Sequence, residues 1–496
     1  MKSQMTRRQL LRCLGLGSLG LALAACQPQV IKETVVVEKE VEKIVKETVV
    51  VKETVVVQKV LKEEVEIDFW YFPNLIAEEQ LATFMEQYPN IKVNMSELGE
   101  AVFGDQKFMT AVAAGKGPSV AIQNRHTFMQ FAAKGMYLDI TPYFEASGLK
   151  RSDMTPVQFE ETSWQGKIYG LPRETDTRLL YWNRKHFEEV GLDPDVPPKT
   201  WKELEQYSEK LNKKDNAGNF DRIGFVPYLV GNSWMWLYGF LNRAPAISDD
   251  KRTILVDDPR WAQALQWLVD FYDKYIGTFE LANAFSAGVS SAGLGDPFAA
   301  EKVSMVAHCD TVVNNLLRNP ALEWDVAPMP IPDGGVQSSW SCGWSLVMPP
   351  SAKYPDAAWE LMRWWTASNE GWHALAEATK ADTVRYWERE KITGTPLFMP
   401  WDACYLPAQE MLETEYVSKG TEIMRKAWAT SMDCLANWTH GCGTEMGLAA
   451  LEYWVEIDNA VRSALSHKAT PEEALAICKQ KVQEGTDRAW EAVDSM

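Results

Sequence analysis

From Val65 to Tyr71 the chain reads Val-Glu-Ile-Asp-Phe-Trp-Tyr, apolar and polar positions alternating with the period of a strand that buries one face. The period then changes. Between Ala77 and Tyr88, residues Leu81, Phe84, Met85 and Tyr88 fall on one helical face, and Pro89-Asn90 stops the helix. Ile91-Lys-Val-Asn-Met alternates again, Phe108 to Ala114 predicts a helix, Val120-Ala-Ile a short strand, and Phe128 to Lys134 a helix before Gly135. Strands alternating with helices predict α/β units around a mostly parallel sheet.

Further along, helix starts are marked by their caps. Thr200-Trp-Lys-Glu203 and Thr470-Pro-Glu-Glu473 are capping boxes, the second with Pro471 at the first helical position. Asp258-Pro259 opens a helix whose Trp261, Leu265, Leu268, Phe271, Tyr272 and Tyr275 form a continuous stripe. Trp359, Met362 and Trp365 follow Pro355-Asp356 with the same spacing. Such periodic aromatic positions are expected to pack in the core and are not counted as ligand contacts.

The amino-terminal part follows different rules. Lys2, Arg7, Arg8 and Arg12 precede an uncharged run from Cys13 to Ala25, the layout of a signal peptide and too short to span a bilayer comfortably. Thr6-Arg7-Arg8-Gln9-Leu10-Leu11-Arg12 resembles a twin-arginine export signal, and Leu23-Ala24-Ala25-Cys26 resembles a bacterial lipobox with Cys26 as the lipidated residue. Gly15-Leu16-Gly17-Ser18-Leu19-Gly20 has the letters of a dinucleotide fingerprint, but it lies within the expected leader and outside any βαβ unit. From Val30 to Glu66 the motif Lys-Glu-Thr-Val-Val-Val recurs at Lys32, Lys46 and Lys52 without Gly, Pro or an aromatic residue. Val and Thr favour extended structure, yet Val37, Val41, Ile44, Thr48, Val51 and Val55 also fall on a weak heptad seam. Both conformations make it a spacer, about 120 Å long if extended and about 55 Å if helical. An oligomerising coiled coil is the rival reading. The expected organisation is thus a leader over 1–25, a lipidated Cys and charged Val-rich spacer over 26–65, and a folded body from residue 66.

Composition narrows the class. With 50 Lys+Arg against 68 Asp+Glu in 496 residues, the net charge of −18 offers no global basic face for nucleic acid. Removal of residues 1–25 takes away four cations and no anion, lowering it to −22. There is no G-x-S-x-G, H-E-x-x-H, Walker or C-x-x-C motif, and the six His are scattered. No catalytic group, metal site or cofactor is therefore expected. Six cysteines remain beyond Cys26: Cys309, Cys342, Cys404, Cys434, Cys442 and Cys478. Cys434, His440 and Cys442 lack a fourth ligand nearby, so a Cys434–Cys442 disulfide or two buried free thiols are preferred to a metal. Up to three bridges are permitted outside the cytoplasm, with no readable connectivity.

The 21 Trp all lie at or after Trp70. Subtracting the helical stripes leaves aromatic and polar residues on turns at strand ends: Trp70 to Asn74, Asn124-Arg125-His126, Glu174 to Thr177, Asn232-Ser-Trp234-Met-Trp236, Asp310-Thr311, and Trp340-Ser-Cys-Gly-Trp344. In open α/β sheets ligands bind beyond the carboxyl ends of strands. Flat rings beside Asp, Asn and Arg suit a sugar, which presents an apolar C–H face and a polar rim.

A family resemblance joins these features. Phe84 through Tyr88-Pro-Asn-Ile-Lys-Val93, Phe108 through Gly115-Lys-Gly-Pro-Ser-Val120, Gly135-Met-Tyr-Leu-Asp-Ile-Thr-Pro142, Trp164-Gln-Gly-Lys-Ile-Tyr-Gly-Leu-Pro172, Leu180 through Phe187, Ala327-Pro-Met-Pro330 and Gly343-Trp-Ser-Leu-Val347 occur in the family's order and spacing. Over about residues 66–496 the chain resembles the extracellular solute-binding proteins of family 1, sugar-binding lipoproteins of ABC transporters related to maltose-binding protein.

The resemblance implies an α/β, two-lobed periplasmic-binding-protein fold (type II-like), with the ligand cleft at the inter-lobe hinge. Residues 66–173 and 336–385 would form one lobe, 178–330 and 386–496 the other, with crossings near Pro172–Thr177 and Pro328–Ser338. By position, Asn74, Arg125, Asp176, Trp234, Trp236, Asp310, Trp340 and Trp344 would face the cleft. Ser119 and His308-Cys309-Asp310 depart from the family pattern, and the latter leaves the contacts of the second lobe unassigned. The implied protein is a non-enzymatic, extracytoplasmic monomer, lipid-anchored to the bacterial cell membrane. It would capture a carbohydrate, most readily an oligosaccharide, and deliver it to ABC permease subunits. A peptide or polyamine ligand, a surface carbohydrate-active enzyme and an adhesive surface protein are the alternatives.

Overall fold

In a computed structural model of the chain, residues 31–40, 50–59, 63–97, 106–227, 235–292, 295–442 and 445–496 are described. The expected leader, Cys26 and Trp234 lie outside them. The chain divides into two units, Met1–Glu64 and Val65–Met496. In the first, Ile31–Glu40 and Val50–Lys59 pair as antiparallel strands, Val35 opposite Val55 and Glu38 opposite Lys52. The β-preference of Val and Thr thus prevails here over the heptad seam. The described part of the spacer doubles back on itself, so it does not have the reach of a single extended chain.

The second unit holds two five-stranded sheets. The first has the spatial order Ile91–Glu97, Val65–Tyr71, Val120–Asn124, Trp344–Val347, Gly170–Pro172. The second runs Lys213–Lys214, Phe220–Val226, Val303–Cys309, Arg178–Asn183, Trp324–Ala327. Neither is mostly parallel. Val65–Tyr71 is parallel to both its neighbours, but Trp344–Val347 is antiparallel to both of its own. In the second sheet only the Phe220–Val226 and Val303–Cys309 pair is parallel. The departure has a topological cause. Gly170–Pro172 and Arg178–Asn183 bracket one passage between sheets, Trp324–Ala327 and Trp344–Val347 the other. βαβ units supply the remaining, parallel neighbours.

Local signals produce the elements that carry these sheets. Val65, Ile67, Phe69 and Tyr71 are buried on alternate positions of their strand. Asn74 caps the helix Leu75–Gln87 by accepting from the Ala77 N–H at 3.0 Å. Reciprocal capping boxes form at Thr200/Glu203 and Thr470/Glu473, and Asp258 caps the helix Pro259–Phe271. The Trp261-to-Tyr275 stripe is buried in the core of the second lobe, and Trp359, Met362 and Trp365 are buried beneath the first sheet's strands. At Gly239 an added Cβ would lie 1.9 Å from the Trp261 ring, so only glycine lets that helix meet the indole.

The passages between lobes are fastened to one another. Arg173 N–H donates to Trp344 O at 2.9 Å, Cys404 N–H to Arg173 O at 2.9 Å, and Thr175 N–H to Asp402 O at 3.0 Å. The segment after the helix Asn369–Glu390 is therefore a third crossing, next to the first. Two expected boundaries move. Residues 339–341 form a strand parallel to Thr439–Gly441, and Trp340 enters the core of the second lobe. The first lobe accordingly resumes at Trp344, not at 336. A boundary at 385/386 would cut a continuous helix; the passage follows Glu390 instead.

Candidate ligand-binding site at the lobe crossings

Arg125 is the hub of the junction. It follows the strand Val120–Asn124 and is 0% exposed. Its Nε donates to Glu161 Oε2 at 2.8 Å, its Nη1 to Glu174 O at 2.6 Å and Trp344 O at 3.0 Å, and its Nη2 to Cys342 O at 2.7 Å. One planar guanidinium thus bonds carbonyls from two crossings at once. Gly343, at φ 147°, permits the approach, since a Cβ would come within 2.7 Å of Arg125 Nη2 and 2.6 Å of Glu174 O.

Acidic groups line the same junction. Glu174 accepts from the Trp344 N–H at 3.2 Å and from Arg173 at 2.5 Å. Asp176 Oδ1 accepts from the Cys342 N–H at 2.7 Å and from Arg178 at 2.5 Å. Burial pushes its carboxyl up to about 6, against the pull of Arg178 and with the help of Asp310. Asp310, at the end of Val303–Cys309, accepts from Thr177 N–H at 3.2 Å and lies 2.8 Å from Ser431 Oγ, which is 2.7 Å from Asp402 Oδ2. Burial, then the Asp402 charge and the hydrogen bond to it, raise the Asp310 carboxyl well above the usual carboxylate range. Asp402 is raised by burial too, but the bond from Asp310 favours its anion. Burial thus raises both carboxyls, and the pair holds on to a proton more readily than free carboxylates do.

Asn314, Met399, Trp401 and Trp428 surround these groups in a slot with about 20 Å³ of free space, room for a single water. A wider, open groove of about 690 Å³ lies elsewhere, between the helices Leu75–Gln87 and Asn369–Glu390, lined by Glu79, Glu370, His373, Glu377 and Glu415. It lacks the indoles that flank the junction.

Of the eight residues expected at the cleft, Asp176, Asp310 and Trp344 are partly exposed at the junction. Trp344 meets the edge of Phe72 at 4.7 Å between centroids, and Asn74 caps its helix two residues from Phe72. Three others are buried and need correcting as direct contacts. Trp236 is 1% exposed, packed against Trp261 and Tyr453. Trp340 is 1% exposed, with the Arg178 guanidinium 4.7 Å over its ring and Trp454 beside it. Neither indole has a free face for a sugar. Arg125 has every guanidinium nitrogen bonded within the protein and acts as a positioning residue. Sequence reasoning included Phe72 in the turn Trp70 to Asn74 but did not single out Trp401, Asp402, Trp428 or Ser431. The run Met399-Pro-Trp-Asp402, a turn carrying a ring and an acid, was the available signal.

All six cysteines in the body are buried free thiols. Cys434 is not beside Cys442; its neighbour is Thr439 Oγ1 at 3.9 Å, while Cys442 Sγ lies 2.8 Å from Cys342 Sγ. Among the described residues no group of three or more His, Cys, Asp or Glu could hold a metal ion, and no helix is long and apolar enough to cross a membrane.

Two mixed α/β lobes, joined by crossings that carry a polar and aromatic junction, define a two-lobed binding protein. Residues 66–370 match the family of bacterial extracellular solute-binding proteins, and the chain belongs to that family. It is 24% identical over 262 residues to a probable ABC transporter-binding protein of Deinococcus radiodurans, covering 49% of this chain and 58% of that protein. It is 22% identical over 347 residues to the arabinooligosaccharide-binding protein of Bacillus subtilis, covering 66% of this chain and 76% of that protein. The mannotriose-bound structure of CpMnBP1 superposes with a TM-score of 0.68 at 24% identity, covering 84% of this chain and all of that one. The alignment with the Deinococcus protein thus spans little more than half its length.

Proposed function

We propose that the chain is the substrate-capturing component of an ABC importer, closing its lobes on a neutral carbohydrate and delivering it to permease subunits. The observation that carries this reading is the Asp310–Asp402–Ser431 cluster between Trp401 and Trp428. Asp310 and Trp401 are the partly exposed members, so an acid raised by burial and a flat indole face are offered to uncharged hydroxyls and C–H groups. A polyamine would instead call for ionised carboxylates. A relative named for arabino-oligosaccharides and a structural neighbour with mannotriose bound support the same ligand class. No bond-breaking role is assigned, because the family and the relatives are binding proteins. The reading includes lipid attachment at Cys26, with the Val-rich segment as the spacer between membrane and body.

A thermal-shift screen of the full chain with mannobiose, mannotriose, maltose and arabino-oligosaccharides tests the function. A ligand at 100 times its Kd adds about 2.7 kcal/mol. For a body spanning Val65–Met496 this raises Tm by roughly 3 °C, at ~2.1 cal/mol/K of unfolding entropy per residue. No shift with any glycan of a broad panel overturns the carbohydrate assignment, and release of shortened sugars overturns the non-enzymatic one. Cys26→Ser is expected to release the protein from membranes and abolish incorporation of a labelled fatty acid.

A further inference from the structure

The cysteines of the body fall into two groups. Cys309 has a threonine hydroxyl 2.8 Å away and Cys434 has one at 3.9 Å; burial pushes their thiols up to about 12 and about 11. Burial likewise raises Cys404 to about 12, and it raises Cys478. These are inert, buried thiols. Cys342 and Cys442 differ because each has the other as its neighbour. Ser341 and Gly441 are the last register partners of the parallel strands Ser339–Ser341 and Thr439–Gly441. Cys342 and Cys442 are the next residue on each chain, and the Cys442 N–H still donates to Ser341 O at 3.1 Å. Neighbouring strands lie about 4.8 Å apart, within the ~4.4–6.8 Å window of Cα separations that a disulfide spans. The two sulfurs are 2.8 Å apart, closer than unbonded sulfurs pack.

We propose that Cys342 and Cys442 form a disulfide in the mature protein, clamping the second crossing onto the segment that follows the strand Thr439–Gly441. In the finished fold the two thiols are held unlike each other. Burial alone would keep the Cys342 thiol protonated, but the hydrogen bond from Cys442 and the neighbouring His126 and Arg125 outweigh it and hold its pKa well below the ordinary thiol value. Burial keeps Cys442 as the thiol. The Cys342 thiolate attacks one sulfur of a small-molecule disulfide oxidant, expelling one thiolate and leaving a mixed disulfide. Cys442 then loses its proton and attacks Cys342 Sγ, expelling the second thiolate. The pair gives up two electrons and two protons, and the oxidant leaves as two thiols. Because both sulfurs are covered in the folded chain, exchange takes place during folding.

The position of the link matters for the site. The Cys342 N–H holds Asp176 and the Cys342 carbonyl holds Arg125. A bond at this residue anchors the acidic and basic arms of the junction to the second lobe. Gly343 follows the link directly, at a φ of 147° that other residues rarely adopt.

The inference rests on the exported location only for where oxidation occurs, so its test uses a defined redox buffer and no sugar. The full chain is refolded from urea with a glutathione and glutathione disulfide couple, then denatured in N-ethylmaleimide. It is digested without reduction and mapped by mass spectrometry. The expected product is one cross-linked peptide pair, two hydrogens lighter than the two thiol peptides together, joining Cys342 to Cys442. Cys309, Cys404, Cys434 and Cys478 are expected to be alkylated. Alkylation of all six, or a link through any of those four, overturns the proposal. Dithiothreitol is expected to lower the Tm of the oxidised protein and to leave that of the Cys342→Ser/Cys442→Ser variant unchanged. A Tm of the cross-linked protein that ignores reduction overturns the clamping role.

Discussion

Asp176→Asn separates the cost of a buried charge from the value of the hydrogen bonds around it. Asp176 lies in the first crossing, its side chain 17% exposed, and one oxygen accepts from both Cys342 N–H and Arg178. Its carboxyl rises from 3.8 to about 6 on folding, chiefly through burial. An acid whose pKa rises on folding binds its proton more tightly in the folded state, so ionisation there costs stability. That cost is absent below about pH 3.8 and complete above about pH 6. A shift of about two units, at 1.36 kcal/mol each, gives ~3 kcal/mol. This is a ceiling, because part of the side chain still reaches water. Asn keeps the carbonyl acceptor for both donors and cannot ionise.

Urea denaturation of the ligand-free protein at pH 4 and pH 7.5, on both forms, measures the effect as a difference of differences. Titrations of groups not coupled to Asp176 cancel. At pH 4, where the folded Asp176 carboxyl is already largely neutral, the variant is expected to match the parent within about 1 kcal/mol, having exchanged one neutral acceptor for another. At pH 7.5 the balance is expected to move in favour of the variant by up to ~3 kcal/mol. A gap that stays constant within about 0.5 kcal/mol, the ordinary spread for an uncoupled surface substitution, refutes the assigned cost. So does a gap that moves the other way.

Other substitutions probe the same frame. Arg125→Met breaks the ion pair with Glu161, both side chains being 0% exposed, and is expected to cost about 3–5 kcal/mol in urea unfolding; adding Glu161→Gln should recover part of that, and an unchanged midpoint would remove Arg125 from its role as the hub. Gly239→Ala drives a methyl into the Trp261 ring, with an expected loss of at least 1–3 kcal/mol; a wild-type Tm would show that the helix and the indole can separate. Trp344→Ala removes the ring that meets Phe72 and should weaken sugar binding about tenfold, ~1.4 kcal/mol by calorimetric titration. The buried-core substitution Trp236→Phe should lower Tm without a comparable change in Kd, and a reversed pattern would return Trp236 to the ligand surface.

What could be read from the sequence was set locally. The alternation at Val65–Tyr71, the boxes at Thr200 and Thr470, and the stripe from Trp261 depend on neighbours within a turn or two, and all of them form. What failed depends on distant partners. Trp340 reads as a turn residue only while Thr439–Gly441 is unknown. Paired with that strand, its segment becomes a strand and its ring goes into the core. Trp401, Asp402, Trp428 and Ser431 gain meaning only when the third crossing meets Asp310. No periodicity announces that meeting.

Arg125 shows how a residue can be singled out correctly and assigned the wrong partner. An Arg directly after a buried strand is costly unless its charge and its N–H groups are all met. The expectation was a ligand hydroxyl. Its partners are the Glu161 carboxylate and the carbonyls of Glu174, Cys342 and Trp344, on chain segments that leave regular structure to pass between lobes. Those carbonyls require donors wherever the crossings are buried, and a guanidinium can serve three at once from one strand end. The polar signature at this strand terminus therefore belongs first to the construction of the junction. On the proposed function, the ligand is left to the acids, hydroxyls and indoles around Asp310. Loss of the Arg125 contacts would thus release both crossings together, disturbing stability and ligand affinity through the same carbonyls.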